Sequence, residues 1–211
     1  MANESAVYSF VKRKIARLDE ETSWGRVMRA RLRRAAGTQP GASPAIWAVT
    51  LADAPLEWYS RGGIPSFEEN AVHTALTLYA LHCQGKDRSM TTVYSSSSDD
   101  EKNENKSKER SESIGCAIAR LINPDESNLD AVKRRFDAMA TSEEFYELSY
   151  HARSIVLLLR AVDITMDYPN FARDIYMYQI PGRADSVRLR WGEDFYRVLF
   201  NNNNRKESDE T

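Results

Sequence analysis

Ser66-Phe-Glu-Glu-Asn-Ala-Val-His-Thr-Ala-Leu-Thr-Leu-Tyr-Ala-Leu-His-Cys-Gln-Gly85 opens on a capping box and closes on a glycine. Ser66 and Glu69 have the spacing at which each side chain satisfies the other's backbone N–H, and Gly85 suits a helix terminus. Between them Ala75, Leu76, Leu78, Tyr79 and Leu81 make the second half of the helix apolar on most sides. A helix covered that way belongs inside, so it is expected at the centre of an N-terminal bundle.

The segments around it keep the same period. Val7, Phe10, Val11, Ile15 and Leu18 recur at helical spacing, with Lys12, Arg13 and Arg17 off the apolar face. A short helix is expected from about Ser43, with Pro44 at its first position. Beyond residue 112, helices are predicted at about 113–122 and 128–140, the latter with Leu129, Val132, Phe136 and Met139 as its buried stripe. Another, capped near Thr141 or Ser142, carries Phe145, Leu148, Ala152, Ile155, Val156 and Leu159 and is expected at the centre of a C-terminal bundle. Asp167 is a plausible N-cap for a helix closed by Pro181-Gly182, and a last helix runs from about Asp185 to Phe200. No window alternates with period two. The expected fold is all-α: two small helical bundles joined by a flexible linker.

The linker is read from composition. Within residues 91–112, the run of Ser95 to Ser98 followed by Asp, Glu, Lys, Asn and Ser carries no core-forming side chain to offset ordering entropy. From Lys86 through Glu112 the chain carries six basic and seven acidic residues, a near-neutral mixture unlike a dedicated nucleic-acid tail. The expected division is an N-terminal lobe over 1–90, this disordered linker over 91–112, a C-terminal lobe over 113–200 and a disordered tail over 201–211.

Charge is unevenly spread. The formal net charge is -2, yet residues 1–36 hold nine Lys or Arg against four acids. Local field governs binding more than the chain total. The excess peaks in Trp24-Gly-Arg-Val-Met-Arg-Ala-Arg-Leu-Arg-Arg-Ala-Ala-Gly37, a helix with five arginines and no acid. At about 100° per residue, Arg26, Arg29 and Arg33 fall within roughly 60° of one another, while Trp24, Val27, Met28, Leu32 and Ala35 collect opposite. Charged helix faces are ordinarily just solvated, but such faces mix signs to gain i,i+4 pairs, and this one does not. An apolar stripe on a core with a cationic stripe outward suits a surface that tracks phosphates. Arg34 extends the stripe. Arg31 projects on the apolar side, where an ion pair or a partner contact fits as well.

Other chemistry is poorly represented. Cys83 and Cys116 lack C-x-x-C spacing and read as small buried hydrophobes in a reducing compartment. His73, His82 and His151 make no usual zinc set, and His73 and His82 read as core histidines. There is no G-x-S-x-G, no Gly-rich phosphate loop and no H-E-x-x-H, so no catalytic residue, metal or cofactor is assigned. The N-terminus has no apolar h-region, and the uncharged run Asn70 to Gly85 is too short and polar to span a bilayer. No signal peptide and no membrane partner are expected, and the protein is expected to be cytoplasmic.

Val187-Arg-Leu-Arg-Trp-Gly-Glu-Asp-Phe-Tyr-Arg197 resembles the C-terminal signature of the CasB family, the small subunit of type I-E CRISPR Cascade complexes. Four further stretches resemble the same family in the same order: Phe10-Val-Lys-Arg-Lys-Ile15, Thr22 through Arg34, His73 through Gly85, and Asp167-Tyr-Pro-Asn-Phe-Ala-Arg-Asp-Ile-Tyr176. Each is mostly a helix-packing pattern; the five in order are specific. The tract over 91–112 departs from the family by enlarging a shorter connection. The resemblance implies a non-catalytic, all-helical subunit that assembles as a pair between the crRNA-bound backbone and the large subunit. It implies contacts with crRNA, target strand and displaced strand that stabilise the R-loop. Candidate nucleic-acid-binding residues are therefore Arg26, Arg29, Arg33 and Arg34, then Lys86, which matches a basic position in the family, Lys133, Arg134, Arg183 and Arg190. Arg188 falls among Val187, Trp191 and Phe195 and can pack its stem there; Trp191 and Phe195 read as core. The alternative is a helical adaptor whose arginine face binds an acidic protein.

Overall fold

The computed structural model describes residues 2–60, 62–92 and 112–209. It is all-α: among the described residues the sole β pairing is an isolated parallel bridge between Thr91 and Met166. The helices are α1 (Ala2–Asp19), α2 (Ser23–Arg34), α3 (Trp47–Thr50, after a 3-10 turn at Pro44–Ile46), α4 (Phe67–His82), α5 (Ile114–Ala119), α6 (Leu129–Ala140), α7 (Phe145–Ala161), α8 (Tyr168–Gln179) and α9 (Ala184–Asp209).

Local chemistry sets where these begin. Thr22 Oγ1 accepts from the Gly25 N–H at 3.0 Å and caps α2. The α4 capping box is complete, with Ser66 N–H donating to Glu69 Oε2 at 2.8 Å and Glu69 N–H to Ser66 Oγ at 3.1 Å. Asp167 caps α8 by accepting from the Asn170 N–H at 2.8 Å. The cap of α7 is Glu144, not Thr141 or Ser142. Those two hydroxyls instead turn back to the Asp137 and Ala138 carbonyls and close α6. The last helix passes Phe200 and continues to Asp209, into the stretch expected to be a disordered tail. Neither Gly nor Pro interrupts residues 201–209, so a helix already nucleated propagates through them.

The expected pair of bundles does not describe the packing. Every residue of α4 from Asn70 to His82 is buried, and the helix contacts α1, α2, α3, α7 and α8, so it is the centre of the whole molecule. Helix α8, from the second half of the chain, lies along α1 and α4 and also meets α9. Besides the stripe of Tyr168, Phe171, Ala172, Ile175 and Tyr178, its Pro169, Asn170 and Asp174 are buried, so burial spreads around more of the helix than one neighbour can cover. Both halves thus share one hydrophobic core.

Most of the expected linker, residues 93–111, lies outside the described residues. Its two ends stand together. Thr92 Oγ1 donates to Glu112 Oε2 at 3.0 Å, and Thr165 Oγ1 donates to the same oxygen at 2.7 Å. The Asp167 N–H meets the Glu112 carbonyl at 2.8 Å. Chain exit and return are fixed beside the turn that leads into α8.

Helix α5 approaches α9 through glycine. A Cβ on Gly115 would lie 2.2 Å from the Trp191 carbonyl oxygen, which is backbone and cannot swing away. The two core histidines are as expected. His73 Nε2 meets the Thr38 carbonyl at 2.9 Å, and His82 Nδ1 meets the Tyr168 hydroxyl at 2.9 Å. Burial lowers both pKa values; with the nearby Lys86 charge adding to it, that of His82 falls to about 4. Among the described residues no helix is long and apolar enough to cross a membrane.

Two outcomes follow from this packing. Gly115→Ala should destabilise the chain by about 3 kcal/mol, read as a lower midpoint in urea, because α5 must leave α9 to admit the methyl group. For His82, the unfolded chain takes up a proton near pH 6.5 and the folded chain only near 4. Stability present at pH 7 is therefore lost as the pH falls through that window. Thermal unfolding at pH 7 and 4.5 should show a decline that is about 2 kcal/mol smaller in a His82→Gln variant.

Candidate nucleic-acid interface

Helix α2 is seated on the core by Gly25, Met28 and Leu32, with Ala35 buried just beyond its end. Gly25 is what lets α2 start against α1: a Cβ there would lie 2.8 Å from the Glu20 carbonyl oxygen and 2.9 Å from that of Leu18. That seating leaves Arg26 and Arg34 exposed and Arg33 half-buried. None of the three has an ion pair or a side-chain hydrogen bond among the described residues. From Arg26 to Arg33 the helix rises about 10 Å, more than one internucleotide step.

Arg29 leaves the stripe. Its Nη1 donates to the Leu18 carbonyl at the end of α1 and stands 4.0 Å from Asp19 Oδ1. Of the three stripe arginines it is the one angularly closest to the buried face, within reach of the unsatisfied carbonyls that close α1, where a cation is favourable. Arg31 reaches towards the Ala45 carbonyl at 3.4 Å. Val27, expected on the apolar side, is instead exposed. Trp24 is half-buried, with the Arg17 guanidinium 4.2 Å from its ring centroid.

The remaining candidates divide in the same way. Lys86 is mostly covered and ion-paired with Asp163, whose carboxyl it holds below the usual range. Lys133 is bonded to Asp137 one turn on, at 2.7 Å. Arg190 Nη2 donates at 2.6 Å to Asp174, a carboxylate only 1% exposed that also accepts from Trp191 Nε1 at 2.7 Å. Burial pushes the Asp174 carboxyl up, and Arg190 opposes that shift. Arg29, Lys86, Lys133 and Arg190 are thus engaged inside the protein. Arg188 is also engaged, with its guanidinium over Tyr178 and bonded to the Ala140 and Ser142 carbonyls.

Arg134 and Arg183 are exposed and have no side-chain partner among the described residues. They stand on α6 and just before α9, whose main packing neighbours are α7, α5 and α8; those of α2 are α1 and α4. The structure therefore gathers Arg26, Arg33 and Arg34 on one helix and does not bring Arg134 or Arg183 to it. The exposed Lys12 and Arg13 of α1, which packs on α2, add cations that the stripe alone did not reveal. Among the described residues no three His, Cys, Asp or Glu side chains are grouped to hold a metal ion.

The family described as CRISPR-associated protein Cse2 matches residues 28–196. The chain belongs to the Cse2 family. The CasB of Thermobifida fusca is 28% identical, covering 90% of this chain and 97% of its own at a TM-score of 0.67. The CasB of M. ruber has the same fold at 23% identity, with 99% and 98% covered and a TM-score of 0.60. A chain of a CRISPR RNA-guided surveillance complex matches at 17% identity and a TM-score of 0.66, covering 95% of this chain and 99% of that one. No curated protein matches the chain. Cse2 membership makes this a CRISPR-associated protein, in line with the sequence resemblance.

The division among cations is measurable in stability. Arg190→Gln leaves the buried Asp174 without its nearest counter-charge and should cost about 2 kcal/mol. Arg26→Gln and Arg34→Gln should stay within about 0.5 kcal/mol of wild type in the same urea titration.

Proposed function

We propose that this Cse2-family subunit grips the sugar-phosphate backbone of a single strand through Arg26, Arg33 and Arg34, and so stabilises an R-loop. The observation that carries the reading is that these three guanidinium groups, on a helix with no acid in its first turn, have no partner among the described residues while their neighbour Arg29 does. R-loop formation exchanges one duplex for another at nearly balanced energy. A cationic row that captures the displaced strand lowers the energy of the open state and slows re-annealing. Arg134 and Arg183 are separate contact points for another part of the same nucleic acid. The partners proposed are the backbone and large subunits of a Cascade complex, a second copy of this chain, crRNA and both DNA strands; the match to a chain of a surveillance complex supports the assembly.

The test is fluorescence anisotropy of a labelled single-stranded DNA at low ionic strength, with the full chain. Changing Arg26, Arg33 and Arg34 together to Glu should leave the unfolding midpoint nearly unchanged and weaken binding tenfold or more. The slope of log K against log [salt] should fall by about 2, at roughly 0.7 per phosphate contact. Unchanged affinity and slope would remove α2 from the interface. Equal binding of a polyglutamate chain would favour an acidic protein partner instead.

A further inference from the structure

Two residues past Arg34 the chain begins to line a cleft of about 370 Å3, walled by residues 36–38 on one side and by the outer face of α7 on the other. Its size falls at the lower end of the range typical of ligand sites. Arg153 is part of its lining. The Arg153 Nε is buried and has no hydrogen-bond partner, and no carboxylate pairs with this guanidinium among the described residues. Gly37 makes room for it: at φ +90° the backbone there suits glycine, and a Cβ would already touch Arg153 Cδ at 3.4 Å. A buried cationic donor without an acceptor is costly unless something accepts from it.

The other walls are aromatic. Tyr150 is 70% exposed and Tyr146 49%, on the same side of α7 as Arg153, with Ser149 between them in sequence. Tyrosines this exposed gain little from the core, and they offer flat surfaces beside a cation. The acids of this helix end do not compete for Arg153. Glu147 stands within 3.9 Å of His151 Nε2 and accepts from the Glu143 N–H, on the opposite flank.

We infer that this cleft seats one nucleotide of a single strand, its phosphate on the Arg153 guanidinium and its unstacked base on the ring of Tyr150. The inference rests on the reading of α2 as a backbone-binding helix, because the segment that follows Arg34 lines the cleft. Stacking explains why aromatic rings belong here: every base has a π-face, so the grip is independent of sequence. An acidic peptide would use Arg153 but has no use for the rings.

The experiment compares a labelled oligothymidylate with a strand of equal length made of abasic sites, by anisotropy at low ionic strength on the full chain. Tyr150→Ala should weaken the oligothymidylate fivefold or more and the abasic strand less than twofold, while Tyr150→Phe keeps wild-type affinity for both. Arg153→Gln should weaken both strands alike and lower the salt slope by about 0.7. Equal effects of Tyr150→Ala on the two strands, or no effect on either, overturn the cleft. If the Arg26, Arg33 and Arg34 charge reversal still abolishes binding in that case, the α2 reading stands alone. If wild type binds neither strand, both readings fall. Competition by polyglutamate at equal charge, unaffected by Tyr150→Ala, overturns the cleft in favour of an acidic peptide.

Discussion

A carboxylate with almost no access to water fixes how this molecule is assembled. Asp174 sits on α8, whose Phe171 and Ile175 are buried in the core that α1 and α4 share with it. Apolar packing alone leaves a helix free to rotate or slide by a fraction of a turn, since burial has no direction. Hydrogen bonds from Arg190 and Trp191 do have one. A charge at that depth is tolerated only when α9 presents both donors, so the pair sets the register of α9 on α8. Arg188 adds a second fixed point, holding the carbonyls at the end of α6 against Tyr178.

The arginines of this chain therefore serve two ends, and residue type does not separate them. Arg29 and Arg26 lie on the same helix, three positions apart. One meets the Leu18 carbonyl and Asp19 at the end of α1 and is absorbed into the fold; the other has no side-chain partner among the described residues. What distinguishes a binding cation from a structural one is the presence of an acceptor within its arc, which is a property of the neighbouring element.

That is also where the sequence ceased to be informative. Caps and apolar stripes act over three or four residues, so the α4 capping box, the Asp167 cap and the buried faces of α1, α6 and α7 were readable from spacing. Partners distant along the chain were not: Lys86 with Asp163, Arg190 with Asp174, and Gly115 beneath Trp191 are matched only after the helices dock. The same blindness produced two bundles where one core exists, because the many-sided burial of α8 comes from Pro169, Asn170 and Asp174, residue types that spacing alone does not mark as core. Arg153 escaped for a related reason. On α7 the run of Leu and Val draws attention to the core side, and the glycine that accommodates Arg153 belongs to a different part of the chain.

The joined ends of the segment between Thr92 and Glu112 have a practical consequence. Because the chain departs and comes back at one point, lengthening the excursion strains nothing in the helical scaffold, and the entropic cost grows only as the logarithm of its length. A compact passenger domain with neighbouring termini can be spliced in here as a fluorescent or affinity handle. Such a handle would be anchored by the turn that feeds α8, and it would leave both ends of the polypeptide untouched.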